Sequence, residues 1–133
     1  MGNQEYARDN AVIVYDEAGE YGTRTVSTWV DANGSASVCE RVTGPDVLAA
    51  FATEEFEHRV IVDAKDVEDF ECALGRLRGT QSEGSIAYVK DFFEDGPLLA
   101  DLMDVLDSRD VPYGYLSFDE REAHFRPAQR RGD

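Results

Sequence analysis

Two stretches of alternating residues, Arg24 to Val30 (RTVSTWV) and Ser35 to Val42 (SASVCERV), flank the segment Asp31 to Gly34 (DANG). Successive side chains of a strand point to opposite faces, so each stretch reads as a strand with distinct sides. Asn33-Gly34 supplies the positive-φ pair that a type I′ turn needs, and together the three segments predict an antiparallel hairpin. No other local signal in the chain is as strong. On the first strand Val26, Thr28 and Val30 share one side, and Thr25, Ser27 and Trp29 the other. Trp29, the single tryptophan, therefore either packs in the core or lies on the more polar side as a surface anchor.

The remaining elements follow from periodicity and punctuation. Ala11 to Tyr15 (AVIVY) reads as a buried strand and Asp16 to Gly22 as a turn. Gly44-Pro45 opens a short helix with Val47, Leu48 and Phe51 on one face. Phe56 to Val62 is a strand carrying Phe56, His58, Val60 and Val62 on one side. A helix is expected from Ala64 to Leu74, with Asp63 as its N-cap, Val67, Phe70 and Leu74 buried, and Gly75 as its stop. Arg76 to Gly84 is a loop. Ile86 to Phe93 fits a helix or a short strand. Leu98 to Leu106 is an amphipathic helix, with Leu98, Leu102, Val105 and Leu106 inward and Leu99 and Met103 beside them. Val111 to Phe118 is a last strand, which Pro112 and Gly114 favour at a sheet edge. There are no internal repeats. This order predicts one α+β domain over 11–118 between flexible flanks, 1–10 and 119–133. Its architecture is two-layer: a mainly antiparallel sheet with helices packed on one face.

Composition bounds the class. Apolar residues make up 42% and aromatics 11%, too much for a disordered acidic tail. No apolar run reaches the ~20 residues that cross a bilayer, and no secretory leader is apparent at Met1 to Asn10, so a cytoplasmic protein without membrane contact is expected. Cys39 and Cys72 lie in apolar segments; they read as free thiols, with a disulfide as the alternative.

Charge carries the functional reading. Asp and Glu number 28 against 13 Lys and Arg, a net of −15. Between residues 91 and 110 stand Asp91, Glu94, Asp95, Asp101, Asp104, Asp107 and Asp110, with Arg109 the one base. Such a chain repels nucleic acid and anionic lipid and attracts basic partners. Asp101, Asp104 and Asp107 recur every third residue, so they form a stripe opposite the apolar face of their helix. Carboxylates on a rigid helix pair well with arginines of a basic protein. Tyr113 and Tyr115 are the nearby aromatic anchors, because tyrosine and tryptophan dominate interface hot spots.

Other chemistries lack their motifs. There is no G-x-S-x-G elbow, no glycine-rich phosphate loop and no G-x-G-x-x-G. No EF-hand loop or His-x-x-x-His occurs, and Glu120 with His124 supplies only two ligands. No catalytic residue, metal site or cofactor is expected, and no motif sets an oligomeric state. The competing explanation is that acidity serves solubility or salt adaptation: there are two lysines, Lys65 and Lys90, against eleven arginines.

The hairpin turning at Asp31 to Gly34, the Gly44-Pro45 helix start, the segment Glu54 to Val67 (EEFEHRVIVDAKDV) and the strand Val111 to Tyr115 (VPYGY) together resemble a group of small acidic bacterial proteins of unassigned function. More loosely, such proteins look like toxin-immunity proteins. The resemblance spans roughly residues 24–118 and implies an inhibitor that covers the basic active site of a partner such as a nuclease. It carries over no individual binding residue.

Overall fold

A computed structural model describes residues 10–19, 22–44 and 55–118, and the backbone of 123–126. Six strands form one antiparallel sheet in chain order: β1 (Val12–Gly19), β2 (Gly22–Val30), β3 (Ala36–Thr43), β4 (Glu55–Val62), β5 (Gly114–Phe118) and β6 (Ala123–Arg126). Between β4 and β5 the chain makes a 3₁₀ turn (Ala64–Asp66) and three helices, α1 (Val67–Ala73), α2 (Ser85–Phe93) and α3 (Leu99–Ser108). The helices cover one face of the sheet: α2 packs on β1 and β2, and α3 on β3 and β4. This is the expected α+β two-layer architecture. The expected helix after Gly44-Pro45 lies outside the described residues. No helix among the described residues is long and apolar enough to cross a membrane.

The core lies where the inward side of the sheet meets the helices. Val26, Val38, Ala36, Val60 and Val62 come from the strands; Phe70, Val89, Phe93, Leu99, Leu102 and Leu106 come from the helices. Alternation put these strand residues inward, and the ladder confirms it: Thr28 faces Val38, and Val38 faces Val60.

Several boundaries differ from the sequence reading, each for a physical reason. The first strand runs on through Asp16 to Gly19, because these residues pair with Thr25 to Gly22 while their side chains stay exposed. An edge strand tolerates charge that a central one does not. The hairpin turn is not type I′. Only Gly34 has positive φ (92°), Asn33 does not, and bonds from Gly34 N to Asp31 O (2.8 Å) and Asp31 N to Ser35 O (2.9 Å) close a three-residue loop. The Asn33 side chain instead accepts the Ser35 N–H at 3.0 Å.

Asp63 makes no side-chain cap at the start of the 3₁₀ turn. Gly75 is the expected stop for α1: Arg76 N bonds Glu71 O and Gly75 N bonds Cys72 O, the paired closure that a positive-φ glycine permits. Ile86 to Phe93 is helical. β5 starts only at Gly114, after Pro112, so neither residue interrupts its ladder and β5 lies inside the sheet between β4 and β6. The backbone then adds β6, beyond the last strand read from sequence.

In α3 the buried stripe is Leu99, Leu102 and Leu106, one residue round from the expected one, and Leu98 is 52% exposed. Leu98 sits at the N-cap with extended backbone, outside the helical period. Truncation separates the two positions. Leu106→Ala is expected to cost about 2–5 kcal/mol of stability, whereas Leu98→Ala should stay within about 0.5 kcal/mol, both read by urea denaturation.

Candidate functional site

Arg24, Glu40 and His58 occupy the inward side of three neighbouring strands, where apolar residues are the rule. Glu40 stands opposite Val26 on β2 and opposite His58 on β4. All three side chains are largely buried. The Arg24 Nε donates to Glu40 Oε2 at 2.7 Å, and its two terminal nitrogens donate to the carbonyls of Gly96 (3.1 Å) and Pro97. Glu40 Oε2 also accepts the Leu99 N–H at 3.3 Å, one of the free amides at the start of α3. His58 Nε2 lies 2.6 Å from Glu40 Oε1, and His58 Nδ1 lies 2.8 Å from Tyr115 Oη.

An ionised carboxylate only accepts, so Nε2 donates to Glu40, and Nδ1 and the Tyr115 hydroxyl are hydrogen-bonded to each other. Burial pushes the Glu40 carboxyl up, but the hydrogen bonds from His58 and Arg24, and their charges, outweigh it and hold the group below its ordinary value. Carboxylate, imidazole and phenol stand in the order along which a proton can pass. Here the carboxylate end is tied to a guanidinium and a helix N-terminus, so the arrangement serves as a fastening of α3 and the α2–α3 connection to the sheet.

A second buried carboxylate fastens the loop before α2. Glu71 accepts from Arg76 Nη1 (2.9 Å), Ser82 Oγ (2.7 Å) and Ser85 Oγ (2.7 Å). Arg76 also bonds the Thr80 carbonyl, which closes the loop on itself.

These fastenings hold the acidic segment outward. Asp91, Glu94, Asp95, Asp101, Asp104, Asp107 and Asp110 are all exposed. Asp101 accepts the Leu98 N–H at 2.8 Å and sits in the favourable first turn of α3. Asp104 lies mid-helix and Asp107 in the last turn, where the helix dipole disfavours anions and α3 has no base. Asp110 takes a left-handed φ of 59°, which aspartate tolerates better than most residues. Among the described residues, ion pairs take up Arg24, Arg59, Arg76 and Arg78, and none reaches Asp91, Glu94, Asp95, Asp104 or Asp107.

The aromatic residues fall elsewhere. Trp29 is 1% exposed and Tyr113 is 6% exposed, so both belong to the interior and neither is available as a surface anchor. Trp29 lies on the sheet face away from the helices, with the Arg59 guanidinium 5.0 Å from its ring and 5.2 Å from Phe118. Tyr115 is half-buried and engaged with His58. The apolar group that accompanies the acids is Leu98, which helical periodicity had assigned to the core. Arg24, Glu40 and His58 match no site motif in the sequence, but each shares the parity of the inward valines on its strand, which is the signal that marks them.

Cys39 and Cys72 are free thiols. Burial pushes the Cys39 thiol up to about 12, helped by the Glu57 carboxylate. Comparison with protein-family models, with curated proteins and with solved structures found no match.

Two outcomes test this geometry. Glu40→Gln strands Arg24 against an uncharged partner and is expected to cost about 3–5 kcal/mol at neutral pH. Because the folded carboxyl lies below its ordinary 4.5, ionised Glu40 stabilises the fold above that pH and the contribution is lost as pH falls through the folded value. The variant should lack this part of the acid dependence, as read by urea titrations at successive pH values. Separately, a thiol reagent at neutral pH should modify Cys72 well before Cys39 in the native protein.

Proposed function

We propose that this chain is an acidic, non-catalytic binding module for a basic protein. The carrying observation is that Arg24, Arg59, Arg76 and Arg78 are drawn into ion pairs within the chain while Asp91, Glu94, Asp95, Asp104 and Asp107 face solvent with no ion pair among the described residues. A surface of that kind draws in a cationic partner and orients it, raising association rates toward ~10⁸–10⁹ M⁻¹s⁻¹ at low salt. The contact face comprises Asp91, Glu94, Asp95, Asp101, Asp104, Asp107 and Asp110, with Leu98 as the apolar group among them and Tyr115 the remaining aromatic candidate. Trp29 and Tyr113 drop out of it.

The particular form we favour is an immunity-type inhibitor acting in the cytoplasm and covering the basic active site of a toxin or nuclease. That step rests on the resemblance in sequence pattern and on charge, with fold-level analogy as its warrant.

A second reading has its own support. Exposed acids also occur at Asp16, Glu17, Asp63, Glu68, Asp69 and Glu83, outside the 91–110 segment. Acidity spread this widely suits an accessory domain adapted to high salt.

Asp104→Lys with Asp107→Lys reverses the face without touching the cap that Asp101 provides. Immobilised wild-type protein is expected to retain a basic protein from the source cell at low salt and release it at ~0.5 M salt, where the Debye length falls to about 4 Å and longer-range attraction is lost, and the double variant should retain none. Equal retention by both would reject the face. No retention by either, with stability still rising up to molar KCl, would favour salt adaptation.

A further inference from the structure

β1 closes one side of the sheet, and no described residue pairs with its outer edge. It is eight residues long, whereas natural edges are usually short or covered, because a free row of N–H and C=O groups invites another strand. Two of the chain's exposed large apolar residues lie on it: Val12 is 39% exposed and Ile13 is 62% exposed. A shift of register between Ile13 and Tyr15 separates this apolar end from an acidic one at Asp16 and Glu17.

The acidic end is held in place. Asp16 Oδ1 accepts from Thr25 Oγ1 at 3.1 Å, and Glu17 Oε1 accepts from Tyr15 Oη at 3.0 Å. Gly96 lies close against Tyr15, where a side-chain carbon would stand 2.9 Å from its hydroxyl. Glu94 and Asp95, both exposed, immediately precede Gly96 in the chain.

We infer that β1 accepts an extended basic segment of a partner protein as a seventh strand. Main-chain bonds supply affinity in such additions, and side chains that alternate between the faces supply selectivity. Pairing places Ile13 and Asp16 on the face away from the helices, with Ser27 and Thr25, and Val12 and Glu17 on the helix side, with Thr28 and Arg24. The fitting segment therefore has two adjacent apolar residues to cover Val12 and Ile13. Near them it has two adjacent Lys or Arg residues, one for each of Asp16 and Glu17. A second copy of this edge does not fit, since Val12–Gly19 carries no base to meet Asp16 and Glu17. The inference takes from the proposed function only the sign of the partner's charge; the surface is a different one.

The test uses the full chain and three capped peptides. The first joins a Val-Ile pair and a Lys-Lys pair within a short threonine-rich strand. The second replaces lysine by glutamate. The third keeps lysine but carries N-methyl groups on alternate backbone amides, so that its charge is unchanged and its pairing edge is blocked. The first peptide is expected to bind and to slow hydrogen exchange at β1 amides. The other two should bind at least about tenfold more weakly, as should the first peptide to Asp16→Lys with Glu17→Lys. Equal binding by the N-methylated peptide, or no binding by the first, would overturn strand addition. Binding lost in Asp104→Lys with Asp107→Lys but kept in the β1 variant would overturn it too, while leaving the acidic face of α3 as the partner surface. The opposite pattern would keep the strand site and remove that face.

Discussion

A single buried carboxylate, Glu40, ties the two layers together. On its sheet side it meets Arg24 and His58 from the flanking strands; on its helix side it meets the first amide of α3. Burying a charge is costly unless every lone pair finds a donor, and here guanidinium, imidazole and amide do so together. The arrangement also fixes register. A slip of one residue along β3 would turn Glu40 to the far face and leave Arg24 buried without it. Through Arg24 the same group sets the Gly96 and Pro97 carbonyls, and so the path by which the chain leaves α2 and enters α3.

That path decides what the protein shows to solvent. Leu99, Leu102 and Leu106 turn inward because α3 starts where Glu40 meets Leu99, and Asp101, Asp104 and Asp107 are then carried outward. The carboxylates near the C-terminal ends of α2 and α3 work against the helix dipoles, each at a cost of roughly 0.3–1 kcal/mol at low salt. Interior packing gains nothing from them. Their place is understandable if charge at the surface is itself the property in use, whether for a basic partner or for life in salt. Glu71 repeats the device on the other side of α2, holding the loop of Arg76 to Ser85 by three donors.

Much of this was legible in the residues. Alternation gave the strands their inward faces, Gly75 marked a helix end, and the three-residue spacing of aspartates gave an exposed stripe. The misreadings share a cause: local pattern cannot see the partner strand. The acidic run Asp16 to Gly19 looks like a turn until β2 is beside it, and the φ angles at Asn33 and Gly34 follow from how the ladder closes. Trp29 beside Thr25 and Ser27 looks half-exposed, but its ring is buried with Arg59 close by. Leu98 fits the helical period, but the backbone there is still extended. The Arg24–Glu40–His58 row was readable only once three strands were known to be neighbours in register.

The most direct measurement is residue-resolved hydrogen exchange on Glu40→Gln beside the wild type. If Glu40 is the fastening, protection should fall first at Leu99 and through the first turns of α3, while the β2–β3 ladder from Thr28 to Val38 keeps most of its protection. A uniform fall across sheet and helices, or unchanged protection in α3, would contradict that role.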